Sequence, residues 1–140
     1  MKQITKALLL SLTIALSFVA CDKDDDIDEI FKGNTWNLTF IQNGADRFIP
    51  QESGYTLSFT ETEFNFTTPA GVIISGIWYA DGGQHNIKFS DITANKAVDI
   101  DSTPKTIMNI LEKATMYSGD ANWLQIIEEQ GFTYMQFYNR

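Results

Sequence analysis

The stretch VIISGIWY, residues 72–79, decides the fold class. It is rich in β-branched and aromatic residues, which favour strands, and it is apolar on both faces. Phe132–Tyr138 has the same two-sided character. A flat sheet with one helix would cover little of this surface, so a curled or barrel-like sheet is predicted. Gly76, inside the first stretch, predicts a bulge or bend.

Turn signals recur every eight to twelve residues from Gly33 onward, which is typical of an antiparallel β domain. Trp36, Leu38 and Phe40 alternate with residues 37, 39 and 41 and predict a strand with one apolar face. The pair Asn43-Gly44 predicts a turn, and residues 45–54 a polar loop. Further strands are predicted at residues 55–59, 64–66, 72–79, 86–90, 115–117, 123–127 and 132–138.

One helix interrupts this pattern. Ser102 or Thr103 can cap it, and Pro104 follows where its missing N–H costs nothing. Ile107, Ile110 and Leu111 then share one helical face. The predicted fold is α+β and mainly β, an antiparallel barrel-like or strongly curled sheet of seven to eight strands with one helix at about 103–113.

The first residues have the layout of an export signal. Lys2 and Lys6 form a positive end, and Ala7–Leu16 an apolar core that is too short to span a bilayer comfortably. The sequence Phe18-Val19-Ala20-Cys21 then resembles a bacterial lipobox, with phenylalanine where leucine is commonest. We therefore divide the chain into a signal peptide (1–20), an acidic tether (21–32) and a β domain (33–140).

The lipobox resemblance implies that Cys21 is the first mature residue and carries acyl chains, so that the membrane is a partner. Two or more chains hold a protein stably, whereas one holds it marginally. Lys23, Asp24, Asp25 and Asp26 resemble an acidic export signal that sends lipoproteins to the outer face of the outer membrane. The alternative is a solvated tether, because a run of like charges stays extended.

Composition excludes several classes of function. The net charge is -8, and two of the ten basic residues lie in the leader, so no basic stripe indicates nucleic acid binding. The single cysteine excludes an internal disulfide and a cysteine-based zinc site. We expect no metal and no cofactor.

The body of the chain resembles the META domain of small bacterial heat-shock and envelope lipoproteins. The similar segments are Gly33–Leu38, Asn43-Gly44, Leu57–Phe59, Ile87–Phe89, Ile92-Thr93, Trp123-Leu124 and Phe132. After Ser75-Gly76 that family usually shows Cys-Asn, where this chain has Ile77-Trp78. A lipocalin-like domain of the same envelope lipoprotein type is the alternative. Neither family implies a common activity.

The ionisable side chains do not form a catalytic or metal-binding pattern. His85, the single histidine, lies in a predicted loop without a nearby nucleophile and orienting group. Asp99 and Asp101 would point to one side of an extended segment, but their spacing does not continue as a calcium loop. Two acidic pairs are expected at hairpin tips as solubilising charges: Glu61 with Glu63, and Glu128 with Glu129.

The aromatic residues suggest a binding function. Trp36, Trp78 and Trp123 are predicted either to line a ligand pocket or to form the core. We therefore expect a non-enzymatic lipoprotein of the outer membrane that binds a small apolar ligand or an envelope protein, or that has a role in stress. The alternatives are a surface hydrolase acting on polysaccharide or peptide, and a structural subunit of an envelope complex.

Overall fold

The computed structural model describes residues 26–139, so Cys21 and the predicted signal peptide lie outside the described residues, as do Lys23, Asp24 and Asp25. The elements in chain order are α1 (Ile27–Phe31), β1 (Thr35–Asn43), β2 (Asp46–Phe48), β3 (Thr56–Phe59), β4 (Glu63–Thr67), β5 (Ile73–Asp81), β6 (Asn86–Ala94), α2 (Thr103–Lys113), β7 (Ala114–Gly119), β8 (Trp123–Glu128) and β9 (Thr133–Asn139).

Eight strands form a closed antiparallel barrel in the order β1-β3-β4-β5-β6-β7-β8-β9, and β9 pairs back with β1. The predicted mainly β barrel with a helix at 103–113 is thereby confirmed. The short β2 pairs only with the last residues of β1, through the predicted Asn43-Gly44 turn. It lies within the stretch that we predicted to be a loop, because its three residues show no alternation.

A bulge in β1 changes which residues face the core. The pairing with β9 shifts register between Leu38 and Phe40, so that Ile41 is buried and Phe40 is only partly covered. The prediction that Phe40 shares the inner face with Trp36 was therefore wrong. An extra residue in one strand reverses the alternation beyond it, and nothing in the local sequence marks the position.

The predicted bulge at Gly76 is confirmed, because the pairing of β5 with β6 shifts register between Ser75 and Ile77. A Cβ atom at Gly76 would lie 2.5 Å from the carbonyl oxygen of Ser90, so only glycine allows this close approach. Beyond the bulge, Trp78 points into the barrel and Tyr79 into solvent. The second apolar face of this strand is thus exposed and does not form part of a second core.

Helix α1 closes one end of the barrel. Ile30 and Phe31 are fully buried, and the Phe31 ring packs within 5.1 Å of the rings of Phe59, Trp78 and Tyr117. The indole N–H of Trp36 donates a hydrogen bond of 3.0 Å to the carbonyl oxygen of Ile30. Within the predicted tether of residues 21–32, Ile30 and Phe31 thus pack against the barrel.

Helix α2 forms the crossover between β6 and β7. Ser102 caps it, because its Oγ accepts a hydrogen bond from the backbone N–H of Lys105. Ile107, Ile110 and Leu111 are buried, as predicted, and the helix lies against β6, β8 and β9. The strands β6 and β7 are paired at one position, Asn86 with Met116. Helix α2 therefore packs beside the least extensive strand pairing of the barrel.

We expect Phe31→Ala to lower the free energy of unfolding by about 3–5 kcal/mol, because it leaves a cavity among three aromatic rings. Urea denaturation followed by tryptophan fluorescence measures the change. Phe132→Ala is the matched control, since Phe132 is 70% exposed and its loss should cost about 0.5 kcal/mol or less. Equal stability of the two variants would show that α1 does not contribute to the core.

Candidate functional site at the entry of the chain

The described chain begins with a side-chain cluster at the α1 end of the barrel. Tyr117 donates its hydroxyl proton to Asp26 Oδ1 at 2.8 Å, and His85 Nε2 lies 2.9 Å from Asp26 Oδ2. One carboxylate thus joins the segment before α1 to the β5–β6 loop and to β7. We call these three residues the entry cluster.

The backbone holds the partners of Asp26 in position. The N–H of Tyr117 donates to the carbonyl oxygen of His85 at 3.0 Å, and the two rings meet edge to face at 5.4 Å. His85 adopts a left-handed conformation with φ of 55°, which is uncommon for a residue with a Cβ atom. The unfavourable backbone conformation of His85 is therefore held by three contacts: its ring nitrogen with Asp26, its carbonyl oxygen with the Tyr117 N–H, and its ring with the Tyr117 ring.

The Tyr117 hydroxyl is hard to ionise in the folded protein. Burial raises its pKa above the ordinary value, and the hydrogen bond to Asp26 and the negative charges of Asp26 and Asp81 raise it further. Tyr117 therefore donates a hydrogen bond to Asp26 throughout the physiological pH range.

The contacts of the entry cluster hold the Asp26 carboxylate against the barrel. Within residues 26–139 no serine, threonine or cysteine side chain donates a hydrogen bond to His85, so the cluster lacks the nucleophile of a hydrolytic triad. His85 was predicted to be a solvated loop residue, and it is 60% exposed, but its imidazole is bound to Asp26. Sequence reasoning missed this contact because the partners are about sixty residues apart.

The three tryptophans do not line one cavity in the described structure. Trp36 and Trp78 are buried in the core, and the indole N–H of Trp78 donates to the carbonyl oxygen of Thr60 at 2.9 Å. Trp123 faces outward, because it alternates with the fully buried Leu124. A pocket formed by all three remains a prediction that would require the core side chains to move.

The other predicted acidic sites lie on the surface. Asp99 and Asp101 precede α2, where the carbonyl oxygen of Asp99 accepts a hydrogen bond from Ser102 Oγ at 2.6 Å. Glu61 lies 3.4 Å from Lys32 and so contacts the α1 end. Residues 26–139 contain no group of three or more side chains placed to hold a metal ion.

The end of the barrel opposite α1 exposes large apolar side chains on three loops. Ile49 follows β2, Ile100 precedes α2, and Phe132 precedes β9, with exposed fractions of 55%, 81% and 70%. Tyr138, near the end of β9, is 47% exposed, less than Phe132. The two ends of the barrel thus differ: α1 closes one, and the other is bordered by α2 and bears apolar loops.

The chain belongs to a family of domains of unknown function, DUF4847, whose model matches residues 22–139. A crystal structure of a DUF4847 family protein from Bacteroides vulgatus has the same fold, with a TM-score of 0.62 and 22% sequence identity. The match covers 80% of this chain and 96% of that one. A comparison with curated proteins finds no match. Within residues 26–139 no helix is sufficiently long and apolar to cross a membrane.

We expect Tyr117→Phe to lower the free energy of unfolding at pH 7 by about 1–2 kcal/mol, because Asp26 loses a hydrogen bond. Since the pKa of Tyr117 is raised by folding, its contribution is complete below the ordinary tyrosine pKa of about 10 and is lost as the pH rises above it. Wild type and variant should therefore converge in strongly alkaline solution. Urea titrations across this pH range measure both effects.

Tyr79→Phe is the control for this experiment, because Tyr79 is 69% exposed. At pH 7 its free energy of unfolding should match that of the wild type. A difference between Tyr117→Phe and wild type that is independent of pH would contradict the assigned role of the Tyr117 hydroxyl.

Proposed function

We propose that this member of the DUF4847 family is a non-catalytic binding domain that lipid on Cys21 holds at the outer membrane, facing the cell surface. The observation that carries the proposal is the entry of the chain through the α1 end, where Asp26 is bound by Tyr117 and His85. Cys21 precedes Asp26 by five residues, which span at most about 17 Å when extended. The α1 end would then face the membrane, and the apolar loops would face away from it.

The filled barrel supports binding on the outside. Large side chains such as Trp36, Phe64, Phe66 and Phe137 are fully buried inside it. A small apolar ligand in the centre would have to displace them, and displacing packed core side chains is costly. We therefore place the partner on the outer surface. The up-and-down order of eight strands supports the lipocalin-like alternative for the body, since lipocalins use that order.

Two alternatives have specific support. A hydrolase would use a histidine beside a carboxylate, which His85 and Asp26 provide, but their contact also includes the Tyr117 hydroxyl and no nucleophile from the described residues. A structural subunit of an envelope complex would expose apolar side chains, and Ile49, Ile100 and Phe132 do so. The structural-subunit alternative also includes lipid attachment at Cys21, but its partner is another protein of the envelope complex.

We expect metabolic labelling with a clickable fatty acid to mark the wild-type chain and to leave Cys21→Ala unmarked. The reason is that acyl chains on this one cysteine provide the proposed attachment. Ser17→Ala, a change within the leader that retains the cysteine, is the control and should be marked. Equal labelling of the wild type and Cys21→Ala would overturn lipid attachment at this residue.

We also expect a combined Lys23→Ala, Asp24→Ala and Asp25→Ala variant to be less accessible to protease in intact cells, because these are three of the four residues of the predicted export signal. Asp26 is left unchanged in this variant, since its loss would also disturb the entry cluster. Asp26→Ala alone separates the two effects, as it should lower the stability of the domain. Unchanged protease access in the combined variant would overturn surface export through these residues.

A further inference from the structure

One wall of the barrel carries almost no charge. The adjacent strands β7, β8, β9 and β1 contain a single charged residue, Glu128, at the end of β8. The strand β3, on the other side of β1, also lacks a charged residue, whereas β2, β4, β5 and β6 each contain at least one, in a chain that is 20% charged. The uncharged residues continue across neighbouring strands, so they form one surface. We call the outer side of β8, β9 and β1 the uncharged wall.

Aromatic and amide side chains alternate across the uncharged wall. The strand register places its outward residues in three rows, and the Gln125 amide donates to the Gln136 side-chain oxygen at 2.9 Å in the middle row. Tyr138 is 47% exposed, and its cross-strand neighbour Trp123 is partly exposed. The rows are Trp123–Tyr138–Asn37, Gln125–Gln136–Phe40 and Ile127–Tyr134–Gln42.

A cleft of about 430 Å³ opens beside the first row. Asn37 and Tyr138 belong to both the row and the cleft, and Glu52 and Tyr55 line its other side. This volume lies within the range of small-molecule sites, about 300–1,000 Å³. The row and the cleft together offer an exposed aromatic face, an amide, a carboxylate and a phenol within one site.

We propose that the first row and its cleft bind a neutral oligosaccharide or polysaccharide chain. The C–H faces of sugar rings stack on aromatic rings, which bind at low cost in conformational entropy. Sugar hydroxyls both donate and accept hydrogen bonds, and amides such as Asn37 offer both partners. The Glu52 carboxylate adds an acceptor. Neighbouring strands lie about 4.8 Å apart, so the row extends over roughly 10 Å and suits an extended chain.

The charge of the protein favours a neutral ligand over a charged one. The net charge of -8 repels polyanions, and the uncharged wall offers a polycation no cluster of carboxylates. A lipid surface fits less well, because removing three glutamines and an asparagine from water is costly even where the amides already have partners within the protein. A second copy of the chain remains as the competing occupant, and the experiment below distinguishes it.

This inference rests on the proposed binding role and names its ligand class, but the two can fail separately. Fatty-acid labelling tests attachment in cells, whereas sugar binding is measured on the purified protein. Loss of either result therefore leaves the other unaffected.

The experiment is native affinity electrophoresis of the full-length protein in non-ionic detergent. The gels contain galactomannan, xyloglucan or amylopectin as neutral polymers, and polygalacturonate or dextran sulfate as anionic ones. We expect at least one neutral polymer to slow the wild type and the anionic polymers to leave it unchanged. Trp123→Ala and Tyr138→Ala should each raise the dissociation constant about tenfold or more, because each removes a stacking face.

Tyr79→Ala is the matched control for Tyr138→Ala. Tyr79 is an exposed tyrosine on β5, four strands from β9 in either direction around the barrel, and its loss should not change binding. Thermal melts show whether each variant is folded, and Tyr138→Ala, at a half-exposed position, tests the proposal if Trp123→Ala fails to fold. The proposal is overturned if all three neutral polymers leave the wild type unretarded, or if only anionic polymers slow it.

The proposal of sugar binding is also overturned if Tyr79→Ala weakens binding as much as Tyr138→Ala does. Sedimentation of the same proteins tests the competing occupant. A dimer that Trp123→Ala dissociates, without retardation by a neutral polymer, would assign the uncharged wall to a second copy of the chain.

Discussion

The pairing of β1 with β9 is the constraint on which the rest of the structure depends. Without it, the meander would end in two strands with unpaired backbone groups, which invite association with other chains. With it, every strand acquires an inner and an outer side, and the core is set by which residues face inward. The bulge between Leu38 and Phe40 shifts the register of β1 against β9 and turns Phe40 outward. The Phe40 ring then packs against Tyr134, and the Arg47 guanidinium lies over it.

A closed barrel leaves open ends, and this chain closes one of them with its own first described residues. The Phe31 ring packs against three aromatic rings that the strands supply. The carbonyl oxygen of Ile30 accepts a hydrogen bond from the buried indole N–H of Trp36. The entry cluster then fixes the point at which the chain leaves the domain. The same residues therefore stabilise the core and set the direction in which any preceding segment departs.

Local patterns predicted the elements well, and long-range contacts account for the errors. The α2 bounds followed from its cap, Pro104 and the spacing of Ile107, Ile110 and Leu111, all of which are local. The burial of Ile30 and Phe31 depends on an end of the barrel that exists only after closure, so the short α1 resembled a tether in sequence. The contact of His85 with Asp26 likewise requires the fold. The barrel itself was predicted partly for the wrong reason, since Ile77 and Tyr79 are exposed and need no second core.

The same exposure separates the two sides of the barrel. On β5, the exposed Ile77 and Tyr79 are paired with Glu63 on β4 and Lys88 on β6, so that wall mixes apolar and charged groups as ordinary surfaces do. On the uncharged wall, Tyr138 is paired with Trp123 and Asn37. The charged side chains beside it are Glu128 at the end of β8 and Arg47 of β2, which lies over Phe40 in the middle row. A fold requires apolar residues inside the barrel, but it does not require the outer side of β8, β9 and β1 to carry so few charged residues. The scarcity of charged residues on the uncharged wall is therefore better explained by binding of the proposed ligand than by folding.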